Sequence, residues 1–480
     1  MGNFKGNFLL SAPMAWLKVA LLLSLVACAA ARPRVVVVGA GISGLIAARE
    51  LLRQGVDVTV LEANDRVGGR LWRTKVGSGA NSAYIDLGAQ WVGPTQLRFL
   101  ALIDEFKVEK FPTWQDIAKG AKTLQWTDGA LKDPTDAEQK DFLDVQGKIQ
   151  ELTKTIDTNA PWTHPDASAL DAITVAEWAA ANADTEFGLY WTLNNARSRC
   201  EPKTASFLHY LWHRTISSEG GEPQKWLIDG AAGQFPELLA AQLPRSAVRL
   251  EEPVHKIVMG KGAKPITVYT SKRKVKADAV VVAVPPYQAG RIQYDPALPA
   301  SRRQLLMHTP LHNALKVMVS YPTPWWREKN LTGSAYIMGL SALQTLVVDA
   351  SNPRPGSPGV LASFIAGEAA VRWNDAGKDA RRAAVLADLA KVYGPEATAN
   401  VVSYDEGDWP GEQWAGGAVF YMPPGTWTQF GKALRPAQWG GRLVWAGTEV
   451  AEKWAGYVEG AIVAGEKAAT DAASAANGGA

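Results

Sequence analysis

The chain reads as an α/β protein, and three features near its front predict that class. Val35-Val36-Val37-Val38 is a continuous β-branched run, as expected of a strand buried on both faces of a parallel sheet. Gly39-Ala40-Gly41-Ile42-Ser43-Gly44 follows without a spacer and opens a helical pattern over 45–52. After Gly55 the segment 56–61 alternates as a second strand and ends at Glu62. Strand, glycine turn, helix, strand and acid, in that order, make a Rossmann-type βαβ unit.

Each glycine of the turn has a separate reason. Gly39 permits the tight turn, Gly41 lets a pyrophosphate approach the backbone, and Gly44 lets helix and strand pack closely. The helix N-terminus then faces the phosphates, and Glu62 is placed to accept the ribose hydroxyls. The next segment, Asn64-Asp65-Arg66-Val67-Gly68-Gly69-Arg70, resembles the R-x-G-G-R stretch of a large FAD superfamily. Amine oxidases, L-amino-acid oxidases, protoporphyrinogen oxidases and carotenoid desaturases belong to it. Two glycines bring backbone amides towards the phosphates, and Arg70 adds a fixed cation. Simple NAD dehydrogenases lack this extension, so the expected cofactor is FAD.

Further along, four segments resemble the flavin-containing amine oxidase family, in its monoamine oxidase and polyamine oxidase branches. Asp86-Leu87-Gly88-Ala89-Gln90-Trp91 through Gln96 resembles the segment that passes the flavin ring. Glu252-Pro253-Val254-His255 and the run Val280-Val281-Val282-Ala283-Val284 resemble a later part of the FAD domain, with Val254 at the adenine side. Leu311 to Tyr321 resembles the strand whose lysine, here Lys316, holds a water near the flavin. Alternation turns Lys316 away from its neighbours Leu315 and Val317. The last segment runs from Trp409-Pro410-Gly411 through Gly447-Thr448-Glu449 to Trp454-Ala455-Gly456-Tyr457-Val458. There a small-residue helix beginning at Val458 aims its N-terminus at the flavin.

The resemblance covers residues 34 to 470 and implies a set of roles. Lys316 and Tyr457 are the candidate catalytic residues. Gly39, Gly41, Ser43, Gly44, Glu62, Arg70, Gly88, Ala89, Gln90, Trp91, Val254, Trp409, Gly447, Glu449, Tyr457 and Val458 are candidates for holding FAD. Ile216, Phe420, Tyr421 and Trp454 are candidates for the substrate pocket. Two departures stand out. Covalent members carry a flavin-linking Cys after the pair matching Gly416-Gly417, and this chain has Ala418, so the FAD is expected to be non-covalent. The following aromatic, one wall of a cage, is Val419; Phe420 or Tyr421 is expected to take its place.

The implied activity is oxidation of a small mono-, di- or polyamine at its α-carbon to an imine, hydrolysed to an aldehyde. Electrons pass to dioxygen, giving hydrogen peroxide. An L-amino-acid oxidase, with Arg73 gripping the carboxylate, is the first alternative; a desaturase or porphyrinogen oxidase is the second. A flavin scaffold without catalysis is a third reading of a different class.

Composition sets the outer limits. The 480 residues allow two or three domains, and 47% are hydrophobic. A net charge of +3 gives no reason to expect a nucleic-acid partner. The expected architecture is a discontinuous FAD domain (33–110, 227–305, 412–475) with an inserted α+β substrate domain (111–226, 306–411). Lys18, the apolar run from Val19 to Val26 and Ala27-Cys28-Ala29-Ala30-Ala31 read as a secretory signal peptide over 1–31. The same stretch allows a lipid anchor on Cys28 as the alternative. The run is short for a membrane span, so no transmembrane anchor is expected. With two Cys and scattered His, no metal is expected; His209 and His213 stand at i, i+4 but without the Glu of H-E-x-x-H.

Overall fold

The computed structural model describes Gly2 and residues 32–478, except 79–81, 218–221, 263 and 344–345. The signal-peptide and lipid-anchor readings therefore lie outside the described residues.

A five-stranded parallel sheet carries the front of the fold. Its order is Val248–Arg249, Asp57–Leu61, Arg34–Val38, Ala279–Val282, Leu443–Trp445. Arg34–Val38 pairs in register with Asp57–Leu61 on one side and with Ala279–Val282 on the other. Four of its five residues are buried, and Ala279–Val282 is buried throughout, which explains why both read as uninterrupted Val runs. Helix Ile42–Arg53 leaves the first strand directly and buries Leu45, Ile46, Ala48 and Leu51 against the sheet. The C-terminal helix Val458–Ala476 lies alongside it. A Cβ on Gly465 would stand 2.5 Å from the Ser43 carbonyl, so small residues set how closely these helices approach.

A seven-stranded mixed sheet forms the second body of the fold. Its order is Ser403–Asp408, Ala314–Tyr321, Gly359–Ala366, Leu346–Asp349, Leu331–Ile337, Lys122–Thr127, Ala130–Leu131. One face buries Leu315, Val317, Val319 and Tyr321 beneath helices Glu368–Ala376 and Lys378–Tyr393. Asp136–Thr153 is a long helix, started by a capping box between Thr135 and Glu138. It packs with Glu186–Arg197 and Phe207–Ile216 into an apolar helical cluster. The α/β class and the mixed sheet-and-helix architecture thus agree with the sequence.

Candidate active site

A cavity of about 480 Å³ runs from the glycine turn to the second sheet. At its front, Glu62 is buried and accepts the Ala40 N–H at 2.6 Å and the Asn64 N–H at 2.8 Å. Burial pushes this carboxyl above the usual range, and the two N–H donors oppose the rise. The turn fits a pyrophosphate: a Cβ on Gly41 would meet nothing within 4 Å, whereas one on Gly44 would stand 2.0 Å from the Gly39 carbonyl. The middle glycine therefore faces open space and the third is closed by the turn itself. The Ser43 hydroxyl accepts the Gly447 N–H at 2.9 Å, tying the two ends of the chain together beneath the cavity.

Arg70 spans the cavity wall. It donates to the Ala418 carbonyl at 2.8 Å and to Glu449 Oε1 at 2.6 Å. Glu449 is 1% exposed and fixes Arg70 from beneath the cavity wall. Gly88, Ala89, Trp91, Val254, Trp409, Gly447, Tyr457 and Val458 also line the cavity. Tyr457 is fixed at the start of the last helix: its carbonyl accepts the Thr448 hydroxyl at 2.9 Å, and its ring meets Trp454 edge-on at 5.2 Å.

Lys316 comes from the other sheet. Strand Ala314–Tyr321 is buried on both faces, so this lysine is 2% exposed rather than solvated. Its Nζ donates to the Gly88 carbonyl at 2.8 Å and to Gln90 Oε1. Trp91 and Phe364 flank it at 5.5 and 6.0 Å. Gly407, opposite Lys316 in the sheet, explains how segment 86–91 lies so close: a Cβ there would stand 2.2 Å from the Leu87 carbonyl. Burial lowers the Lys316 ammonium from its ordinary range, and the nearby Asp86 carboxylate counters that shift. Asp86 is itself held by the Ala232 and Gly233 N–H groups, both at 2.8 Å.

Several sequence-derived positions fall elsewhere. Phe420 does not replace the missing cage aromatic. Segment 418–421 pairs with 310–312 (His312 N–H to Val419 O, 2.7 Å; Tyr421 N–H to Pro310 O, 3.0 Å). That pairing places Val419 on the cavity and packs Phe420 edge-on against His209 at 5.3 Å. Tyr421 turns to Thr204, whose hydroxyl donates to its oxygen at 2.9 Å. Ile216 and Trp454 are buried behind Tyr457, joined by the Trp454 N–H to the Ile216 carbonyl at 2.8 Å, and neither is a cavity wall. Gln90 holds Lys316 rather than facing the main cavity. Glu449 acts from beneath, through Arg70. Arg73 pairs with Glu237 and the Gly230 carbonyl, so it is committed away from the cavity. His209 and His213 are buried at 0% and 2% exposure, and burial holds both neutral. Among the described residues no group of three or more His, Cys, Asp or Glu could hold a metal. None of their helices is long and apolar enough to cross a membrane.

Sequence reading missed Phe364 and Asp86 as site residues. Phe364 sits opposite Lys316 in the neighbouring strand, a register visible only once the strands pair. Asp86 did carry a signal, an acid closing the strand Ala83–Asp86.

A dinucleotide turn joined to a buried lysine and a tyrosine across one cavity defines a nucleotide-cofactor oxidoreductase. The flavin containing amine oxidoreductase profile matches residues 42–473, and the chain belongs to that family. It is 40% identical to an L-amino acid dehydrogenase of Synechocystis sp., over 90% of this chain and 93% of that protein. It is 34% identical to flavin-containing amine oxidase B of Sus scrofa, over 91% and 85%. Among solved structures, cyclohexylamine oxidase from Brevibacterium oxydans superposes with a TM-score of 0.82 at 32% identity, covering 92% of this chain and 99% of that one. Putrescine oxidase bound to putrescine gives 0.82 at 27% identity, covering 92% and 98%. The chain is a flavin-dependent oxidoreductase acting on amines.

Proposed function

We propose that this chain holds one non-covalent FAD and oxidises a small amine with an apolar substituent, passing the electrons to dioxygen. The observation that carries this reading is the placement of buried Lys316, flanked by Trp91 and Phe364, in the cavity that also contains Glu62, the glycine turn and Tyr457. When bound, FAD supplies a two-electron acceptor for the amine's α-C–H. Glu62 would hold the ribose hydroxyls, and the open face of Gly41 would admit the pyrophosphate. Arg70 and the first turn of Val458–Ala476 would face the remaining polar edge.

The protein's own share is placement and desolvation. Trp91, Phe364, Val419 and Tyr457 exclude water and favour the neutral amine over the ammonium ion. Tyr457 steers the nitrogen, and Lys316 holds a water and a positive charge opposite it. Among the described residues the acids lining the cavity, Glu62 and Glu412, stand at the nucleotide end. A second ammonium, as in a di- or polyamine, would find no other acid among the described residues lining this cavity, which favours monoamines. The 40% identity to an L-amino acid dehydrogenase favours a second reading, in which the substrate is an L-amino acid. Peroxide release across monoamines, polyamines and L-amino acids decides between them. Monoamines giving the highest kcat/KM supports the first reading; polyamines or amino acids doing so overturns it.

Non-covalent attachment rests on Ala418 and on Cys200, the one cysteine among the described residues, which is buried outside the cavity. Acid precipitation is expected to leave the flavin in the supernatant; a yellow pellet would contradict this. The N-terminal segment supports export, with cleavage between Ala29 and Ala31. Intact-mass measurement of native protein should show the shortened chain, and an uncleaved Met1 or a lipidated Cys28 would refute it.

A further inference from the structure

Lys316 is linked to a second space through Gln90. A second cavity of about 420 Å³ lies behind it, and no residue lines both cavities. One segment and one strand supply residues to both sides of the partition. Along segment 86–91, Gly88, Ala89 and Trp91 face the first cavity, and Asp86 and Gln90 face the second. Along the strand, Lys316 faces the first and Met318 the second. The hydrogen bond from Lys316 to Gln90 therefore crosses the wall.

Two observations give the second cavity chemical content. Gln90 is 2% exposed, and its Nε2 has no partner, leaving two buried N–H donors unsatisfied. Asp86 is 5% exposed, and each oxygen receives a single backbone N–H, leaving lone pairs free on the same wall. A donor and an acceptor facing one polar space are what a buried water requires. At the mouth stand Asp229, Asn352 and Arg354, with Asn352 donating to Asp229 at 3.1 Å. The Arg354 side chain is 56% exposed, so the space reaches solvent.

We propose that the second cavity is a proton port for Lys316, separate from the substrate cleft, with Asp86 as its exchanging group. The N–H that Lys316 gives to Gln90 Oε1 turns away from that oxygen, and its proton passes through one water in the second cavity to Asp86. One N–H bond breaks, one carboxyl O–H forms, and the ion pair becomes a neutral pair. Asp86 then releases that proton to cavity water and so to solvent; no electrons move. Run in reverse, the port supplies the proton consumed when dioxygen is reduced to hydrogen peroxide. Asp86 is a positioning residue here, because it acts through Lys316.

The proposal rests on the flavin reading above, and its first test does not. Met318→Cys places a thiol on the second cavity in the flavin-loaded protein, and methyl methanethiosulfonate is the probe. Labelling at least tenfold faster than that of buried Cys200 is expected; no labelling of the folded protein overturns the solvent connection. Filling the cavity with Ala350→Phe, or Asn352→Trp if that variant does not fold, is expected to slow labelling and flavin reoxidation at least tenfold. Amine-driven bleaching should stay within twofold. Asp86→Asn is expected to slow reoxidation at least tenfold with an enlarged solvent isotope effect, and Asp86→Glu to restore part of the rate. Wild-type reoxidation and isotope effect in Asp86→Asn overturn the port whatever the labelling gives. Failure of amines to bleach the wild-type flavin would instead refute the proposed function.

Discussion

Gly44→Ala is expected to yield protein that no longer retains flavin. The added Cβ would stand 2.0 Å from the Gly39 carbonyl and 3.3 Å from the Ala283 side chain. Neither neighbour can yield without opening the turn, because Gly39 donates its N–H to the Leu61 carbonyl at 2.8 Å. Helix Ile42–Arg53 must move outward, taking Ser43 from the Gly447 N–H. Overpacking of this kind costs about 1–3 kcal/mol, which is roughly a five- to 150-fold loss of affinity if it falls on the bound state. Gly41→Ala offers the contrast. Its Cβ meets no protein atom, so the apo-protein should keep its melting temperature while flavin binding weakens. The ratio of flavin to protein absorbance after gel filtration, with Tm, checks both variants. Full flavin occupancy in Gly44→Ala would show that the turn does not position the cofactor.

Lys316→Met is expected to lower turnover by at least about tenfold, or roughly 1.4 kcal/mol of barrier, with flavin still bound. Met keeps the side-chain volume between Trp91 and Phe364 and removes the cation and its two hydrogen bonds. It also leaves Asp86 buried without its counter-charge, so some loss of thermal stability should accompany the kinetic effect. Tyr457 separates from it. Tyr457→Leu should weaken amine oxidation more than reoxidation, whereas Tyr457→Phe should be mild because the ring, held against Trp454, does the steering. Stopped-flow reduction and reoxidation, measured apart, resolve the two residues. Wild-type rates for both steps in Lys316→Met would remove this lysine from the site.

The front of the fold was legible because its determinants are local. A Val run, a glycine turn and an amphipathic helix lie within 34–61, and each reads through composition or spacing alone. Lys316 was legible for a different reason: a lysine inside an apolar alternating strand resembled a family strand, and burial on both faces gave it that environment. What surrounds Lys316 was not legible. Phe364, Gly407 and the 86–91 segment reach it through strand pairing and a sheet-to-loop crossing that no local pattern encodes. The cage misreading has the same origin. Whether Val419 or Phe420 faces the cavity depends on how 418–421 pairs with 310–312, and a one-residue slip exchanges the faces. Gln90 was read as cofactor-binding from its motif, yet its side chain turns through the wall to hold Lys316.

In the proposed function, one cavity joins a flavin held by the glycine turn to an amine placed between Lys316 and Tyr457. Anaerobic mixing of the purified holoprotein with a series of primary monoamines tests it most directly. Saturable bleaching of the flavin absorbance by monoamines, recovery on admitting air, and one peroxide formed per cycle are expected. Purified protein without flavin, or a flavin that stays oxidised under every amine and amino acid, would contradict it.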